Sequence, residues 1–470
     1  MTINVVHPRY SVRLPIWKKI EDIVMSENVD SYLVELNPLD KSEENKSRNR
    51  QYRERAIFYA LSGQTVQGMV GSVFRRWPEF DVPSALEYLT ENADGAGVSI
   101  YQQSQAVVAD LIAKGRSGLA VSFPPAEGQV SRAQIQSGEM VATIHRFKPE
   151  QILNWRSERR GSKIILSLVV IYEQGEKVAD DGYTLETFDI IREMFIDPET
   201  RVFKERQWSR ETGSWERGEE VTPTDARGQP FDEILFTFVG SENNDPEPDQ
   251  PPMLGIVDLN IGHYRNSADY EDSVWFAGQP QPWMSGVTQD HIDLMKKANM
   301  YVGSRNVLGV PDGEQFGFAA APPNTLVSEA MEKKVEMMVS LGARMMTQGS
   351  AVKTADQSRG EREAQTSLLS MIASNTSEAY TKALGWVGRF MGIEREDLAY
   401  TLNQDFLQQA LDPQVAQAMM QGFMLGHVPL PDYVRFMKKN SLFDEETSIE
   451  DYAELLTRDT GGSEEDALDS

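Results

Sequence analysis

The chain contains no cysteine, and that absence removes disulfides, thiol catalysis and sulfur-ligated zinc together. Histidine is scarce as well. His7, His145, His263, His291 and His427 are scattered, with no pair at i, i+3 or i, i+4, so the usual helical metal site is missing. No run of about eighteen apolar residues occurs, and the opening MTINVVHPRYSVRLPIWKKI lacks the apolar segment of a signal peptide. The expectation is a protein assembled in the cytoplasm with no membrane partner. Neither a G-x-x-x-x-G-K-[ST] phosphate cradle nor a G-x-S-x-G nucleophile elbow is present. The acidic pairs Glu91 with Asp94 and Asp269 with Asp272 have spacings that suit a cation or an acid and base pair, but a chain this acidic generates such spacings by chance. The residues therefore predict no enzyme, no catalytic residue, no cofactor and no metal.

Positive charge is in short supply. Lys and Arg number 46 against 72 Asp and Glu, a formal net charge of −26. Tight, sequence-tolerant gripping of nucleic acid needs the opposite balance, because it depends on cations displacing counterions from phosphates. Part of the excess is local: residues 444–470 hold eleven acidic side chains and one basic one, Arg458, and read as a solvated acidic tail. What the chain does have is length and apolar content. Its 470 residues, 40% hydrophobic, suffice for a sizeable core divided among roughly two to four structural units.

Residues 49–74, NRQYRERAIFYALSGQTVQGMVGSVF, read as one helix, with Tyr52, Ile57, Phe58 and Leu61 on one side. A break at Pro78 and Pro83 follows, then a Gly-rich turn, a helix through Ile112 that stops at Gly115, and the short buried strand GLAVSF. From Met140 to Val239 the periodicity changes to two. VATIHRF, KIILSLVVIYE, DIIREMFID, RVFKERQW and EILFTFVG read as strands of one antiparallel sheet, with Trp155, Trp208 and Trp215 as packing anchors near strand ends. The Pro-rich acidic stretch ENNDPEPDQPP, residues 242–252, reads as an irregular linker.

Beyond the linker, Leu254, Val257, Ile261, Tyr264 and Ala268 step by three and four, a narrow seam suited to packing on another helix. Asp258, His263, Arg265, Asp269 and Asp272 fall on wetter faces. A helix from Met253 to Phe276 spans about 36 Å at the standard rise. It is left through Gly278, Pro280 and Pro282 into a small module closed by Pro322 and Pro323. A second helix is expected over Thr325 to Met346, striped by Val327, Met331, Val335, Met338, Leu341 and Met345. The polar stretch TQGSAVKTADQSRG follows, then a third long helix to Gly392. Shorter helices at 404–411, 413–425 and 431–437 lead into the tail.

This order of elements resembles that of the portal proteins of tailed bacteriophages. The blocks YRERAIFYALSGQTVQGMVGSVFRRWP, DGAGVSIY, GRSGLAVSFP, LNIGHYRNSADYED and SLGARMMTQGSAVKTADQSRGEREAQTSLLSMIA look like the successive blocks of a portal-like phage family labelled only as a domain of unknown function. The likeness covers most of residues 49–392. Ser122 departs from it, standing where the family leads one to expect an acidic residue.

The resemblance implies an α+β, ring-forming portal fold. It assigns residues 1–252 to a wing, 253–277 to a first stem helix, 278–324 to a clip, and 325–346 to a second stem helix. Residues 347–360 would form a channel loop, 361–392 a long helix returning to the wing, 393–443 crown helices and 444–470 an acidic tail. The stem seam Leu254, Val257, Ile261, Tyr264 and Ala268 would pack between subunits or against the wing. Gln348, Gly349, Ser350 and Lys353 would line the channel; Lys353 is the only cation between Arg344 and Arg359. Trp283, Met284, Met295 and Tyr301 would form the docking surface of the clip. The implied partners are further copies of the chain in a ring, usually of twelve, and double-stranded DNA passing without sequence specificity. Terminase, a major capsid or scaffolding protein, and a tail or adaptor protein would complete the set, at one capsid vertex of a virion. A different head-tail connector or scaffold, or a metal-dependent nuclease or head-processing enzyme, are the alternatives the residues leave open.

Overall fold

The computed structural model describes residues 3–124, 140–278, 281–297, 315–319, 325–346, 367–393, 397–404, 413–425 and 427–439. The chain divides into two units, Met1–Phe406 and Leu407–Ser470. In the first unit the helices are α1 (Pro8–Met25), α2 (Glu43–Arg55), α3 (Leu61–Val73), α4 (Ile100–Lys114), α5 (Leu254–Ala277), α6 (Gln289–Lys297), α7 (Thr325–Met346) and α8 (Leu368–Met391). Its strands are β1 (Glu79–Asp81), β2 (Arg116–Ser122), β3 (Thr143–Phe147), β4 (Ile152–Arg160), β5 (Lys163–Val178), β6 (Leu185–Ile196), β7 (Phe203–Arg210), β8 (Glu216–Val221), β9 (Phe236–Gly240), β10 (Gln281–Ser285), β11 (Gln315–Ala319) and β12 (Ala399–Thr401). The fold is mixed α+β.

Local chemistry sets the central helices. A capping box starts α4: Ser99 Oγ accepts from Gln102 N at 3.1 Å, and Gln102 Oε1 accepts from Ser99 N at 3.2 Å. Gly115, at φ +76, ends it in the left-handed region. Ser367 caps α8 by a single bond, its Oγ accepting from Ser370 N at 3.1 Å, and Gly392 closes it at φ +70. Along α8, Leu369, Ile372, Ala373, Thr376, Ala379, Tyr380, Ala383, Leu384 and Val387 are buried at helical spacing, and this face lies on β9, β2 and α4. Strand β2 is buried almost throughout because both of its faces are covered. Ser117 donates to Asp110 of α4 on one side, while Gly118 lies against Ile152 and Phe236 on the other.

Two expectations about the β-rich part are corrected. It is two antiparallel sheets, in the orders β3-β2-β9 and β4-β5-β6-β7-β8, where one was expected. The buried strand at Arg116–Ser122 draws β3 and β9 to its own two edges and leaves a meander for the rest. The pattern also missed β4 and β8. Both are edge strands and both are charge-rich, ILNWRSERR and ERGEEV, so neither shows an apolar alternation. Of the three tryptophans, Trp155 is a buried core residue, stacked on His7 at 3.9 Å. Trp208 lies half-buried on the meander, where its Nε1 donates to Glu193.

The helix expected over residues 49–74 is also corrected. It is α2 and α3, separated by a non-helical stretch over residues 56–60. The physical reason lies in α5, described below.

In the second unit, α9 (Pro413–Met424) and α10 (Leu430–Lys439) are joined by a short turn, with Phe423 stacked on Tyr433 at 4.3 Å. Residues 405–411 of the helix expected at 404–411, and the acidic tail, lie outside the described residues.

Candidate functional site

Helices α5 and α7 pack on each other along much of their length. Gly255 faces Leu341 and Gly262 faces Lys334, so advancing along α5 retreats along α7 and the pair is antiparallel. The 24 residues of α5 give it a length of about 36 Å. Between the two helices the chain makes an excursion that carries α6 and the antiparallel pair of β10 and β11, with Trp283 opposite Gly317.

The apolar seam of α5 is filled from within the chain. Val257, Ile261, Tyr264 and Ala268 are buried and Leu254 is half-buried. Val257 and Ile261 join the main core, while Tyr264 and Ala268 form a second cluster with Leu33 and Tyr52. These residues pack on the amino-terminal helices and are not free for a neighbouring copy.

Polar groups on the same buried side hold residues 56–62 in place. Asn260 Oδ1 accepts from Ser62 N at 3.1 Å and from Ser62 Oγ at 2.8 Å, and its Nδ2 donates to Tyr59 O at 2.8 Å. One heptad on, Ser267 Oγ accepts from Ile57 N at 3.1 Å and donates to Ile57 O at 2.8 Å. These bonds give the backbone partners that a continuous helix would otherwise supply, which explains the break between α2 and α3. Sequence reasoning missed both residues. Their seven-residue spacing, coincident with the apolar stripe, was the available signal.

Further along α5 the contacts become charged. Tyr52 donates to Asp269 at 2.7 Å, Tyr264 donates to Asp30 at 2.8 Å, and Arg48 and Arg55 both reach Asp272, at 3.0 and 3.1 Å. Burial, then the neighbouring carboxylate, pushes the Tyr52 and Tyr264 phenols well above their ordinary range. Asp269 and Asp272 are thus fastenings between α2 and α5. Asp94 is similarly spent locally, accepting from Ala96 N and Val98 N. Among the described residues no group of three or more His, Asp or Glu side chains is placed to hold a metal ion.

His263 is the misplaced member of the wetter set. It is 6% exposed, beside the Tyr59 ring, and burial followed by the Lys334 charge lowers its pKa from 6.5. Asn266, in the amide orientation that satisfies both partners, donates to Gly262 O at 3.1 Å and accepts from Lys334 Nζ at 3.3 Å. A polar joint therefore sits between α5 and α7.

The carboxyl end of α5 is different in character. Val274, Trp275 and Phe276 are exposed there. Arg55 stacks over Trp275 at 4.2 Å, in a shallow groove of about 490 Å³ that Glu43, Glu44, Ser47 and Gln51 complete. On β10, Trp283 is 42% exposed and Met284 is half-buried. Met295 belongs to α6, but its side chain is outside the described residues, as are Tyr301 and the expected channel residues Gln348, Gly349, Ser350 and Lys353. Among the described residues no helix is long and apolar enough to cross a membrane.

Residues 252–391, which take in α5, the excursion, α7 and α8, match the family described as Domain of unknown function (DUF4055). No curated protein matches the chain. Among solved structures, it is similar to a chain in the virion of a native gene transfer agent particle, at 12% identity over 88% of this chain and 96% of that one, with a TM-score of 0.40. It is also similar to a chain in the neck of the native particle computed with C12 symmetry, at 14% identity over 78% and 86%, with a TM-score of 0.39. For the neck of the empty particle computed with C6 symmetry, the identity is 13% over 78% and 85%, with a TM-score of 0.38.

Proposed function

We propose that this chain is a portal subunit of a tailed phage or phage-like particle, a non-enzymatic structural protein that assembles into a ring at one capsid vertex. The observation that carries the reading is the antiparallel pair of α5 and α7. Its first turns on α5 are held by α1 and α3 and its carboxyl half by α2, and from there the chain leads into a small module with exposed Trp283. Each copy would contribute that pair as one stave of a channel wall, and copies would meet through heterologous contacts that close around an axis. Twelve is the number the sequence resemblance implies. The five ordered sequence blocks support the same reading.

The charge balance fits such a duct. A wall that lets double-stranded DNA pass in both directions should hold it weakly, because each cation-phosphate contact adds affinity and therefore friction. A chain at −26 favours weak repulsion, confined by screening to within about 8 Å. Residues 347–360, with Lys353, would line the channel. The module at 278–324 would dock the terminase motor and later the tail or adaptor protein, and the capsid or scaffolding protein would contact the ring elsewhere. Negative-stain imaging of the purified chain is the test. A ring with a central hole is the expected result; a compact monomer at every concentration rejects the portal role, and a metal-dependent nuclease or protease activity in the purified chain would favour the enzyme alternative.

A further inference from the structure

The segment between β9 and α5 is expected to be an irregular linker, yet side chains from three elements of the first unit hold it. Four of the eleven residues 242–252 are proline, which stiffens the backbone toward an extended form. The segment passes close to two glycines. A Cβ on Gly115 would stand 3.1 Å from Gln250 O and 3.3 Å from Ser241 Oγ, and one on Gly240 would collide with Asn243 O. At its far end Pro251 and Met253 are buried, and Leu254 N donates to Pro251 O at 3.2 Å as α5 begins.

Three elements hold the segment from different sides. Arg13 of α1 donates to Pro248 O at 3.5 Å, and Arg9 pairs with Glu247. From β2, the buried Arg116 lies between the rings of Trp155 and Phe238, at 4.5 and 3.9 Å, and donates to Pro246 O at 2.9 Å. The third is α8. Asn375 Nδ2 donates to Gly240 O at 2.9 Å, while Asn244 Nδ2 donates back to Asn375 O at 3.0 Å and to Glu378 Oε2 at 3.1 Å.

We propose that residues 240–252 are a rigid tie through which the position of α8 sets the position of the first turns of α5. A stiff segment fixed at both ends transmits a displacement where a flexible linker would absorb it. Movement of Asn375 is carried by Gly240 and Asn244 along the proline-rich run to Pro251 and into the start of α5. The tie stands independently of the portal reading. Its consequence is that α8, which follows residues 347–366, and α5 shift together.

Native-state hydrogen exchange on the full chain tests this. In an Asn244→Ala, Asn375→Ala double variant, which removes four side-chain hydrogen bonds, the amides of Val257 to Ile261 should exchange roughly tenfold faster, the scale of about one net hydrogen bond passed on to α5. Those of Tyr264 to Asp272, held separately by α2, should keep their rates. Unchanged exchange at 257–261 overturns the tie, and so does acceleration spread equally over 257–272 and β2. Because the chain has no cysteine of its own, Asn244→Cys with Asn375→Cys can be joined by a short thiol cross-linker. The cross-link should restore slow exchange at 257–261, and failure to restore it also overturns the proposal.

Discussion

Asn260 of α5 accepts two hydrogen bonds from Ser62 in the first turn of α3: its Oδ1 takes the Ser62 backbone N–H and the Ser62 hydroxyl, with both residues buried. A buried amide that serves an extended backbone stretch is replaced only at a cost, because the groups left behind lose water and partner together.

Asn260→Ala should therefore destabilise the first unit by about 3 kcal/mol, the sum expected for stranding buried donors and an acceptor. A lower denaturation midpoint, with exchange accelerated first at residues 56–62, is the expected outcome. Ser267→Ala should act in the same direction but less strongly, since one hydroxyl is lost in place of an amide. A variant of Asn260 as stable as the parent chain would mean that α3 starts without help from α5.

Stability should also depend on pH through His263. Burial, then the charge of Lys334, holds its pKa below 6.5 in the folded chain, so folding favours the neutral ring. The contribution is complete above about pH 6.5, the unfolded value, and is lost as pH falls from there toward the folded pKa. His7 and His145 are shifted the same way, by burial first and then by arginine charges, so the parent chain should weaken on acidification. His263→Gln should lose a measurable share of that weakening when denaturant midpoints at pH 7.5 and 5.5 are compared. An identical pH slope in the variant would remove His263 from the account.

The long helices and the central strands were legible in the sequence because a single physical signal specifies each. The stripe of α7 and the stop at Gly115 are patterns of neighbouring residues, and so is the apolar run of β2. What escaped the pattern was settled by distant partners. The helix expected over 49–74 is interrupted by side chains of α5 some two hundred residues on, and His263 is covered in part by the Tyr59 ring from that same interrupted stretch. Proline and acidic residues make the linker irregular, as its sequence indicates. Those same prolines make it stiff, and Arg9, Arg13, Arg116 and Asn375 fix it, which no local window contains. For the candidate site, the apolar seam was visible, but the side on which it is covered was not. The polar residues beside the seam, Asn260 and Ser267, add nothing to an apolar stripe and so leave no mark on hydrophobic spacing.

On the portal reading, Trp283→Ala should weaken the binding of a motor or adaptor protein and leave ring assembly intact. Trp283 is 42% exposed and leans over Gly317 on β11, so truncation removes contact area without opening the main core. Binding measured by pull-down or interferometry with the ring as bait should fall at least about tenfold, in keeping with a central aromatic anchor. Loss of the ring would instead make Trp283 a structural residue of the hairpin, and unchanged binding would remove it from the docking surface.

Deleting residues 349–354 should leave rings intact while impairing DNA packaging or retention. The segment from Gln348 to Lys353 follows α7 directly, and it combines small polar residues with the only cation between Arg344 and Arg359. In a duct that otherwise repels phosphates, such a segment supplies brief contacts without strong binding, which is what a passage working in both directions needs. Lys353→Ala should reproduce part of the packaging defect, and the part it reproduces should shrink as salt rises, because screening weakens a single ion contact. Lys353→Arg should restore packaging if the contact is electrostatic. Normal genome length and retention in the deletion variant, with intact rings, would return residues 348–353 to the role of a connecting segment.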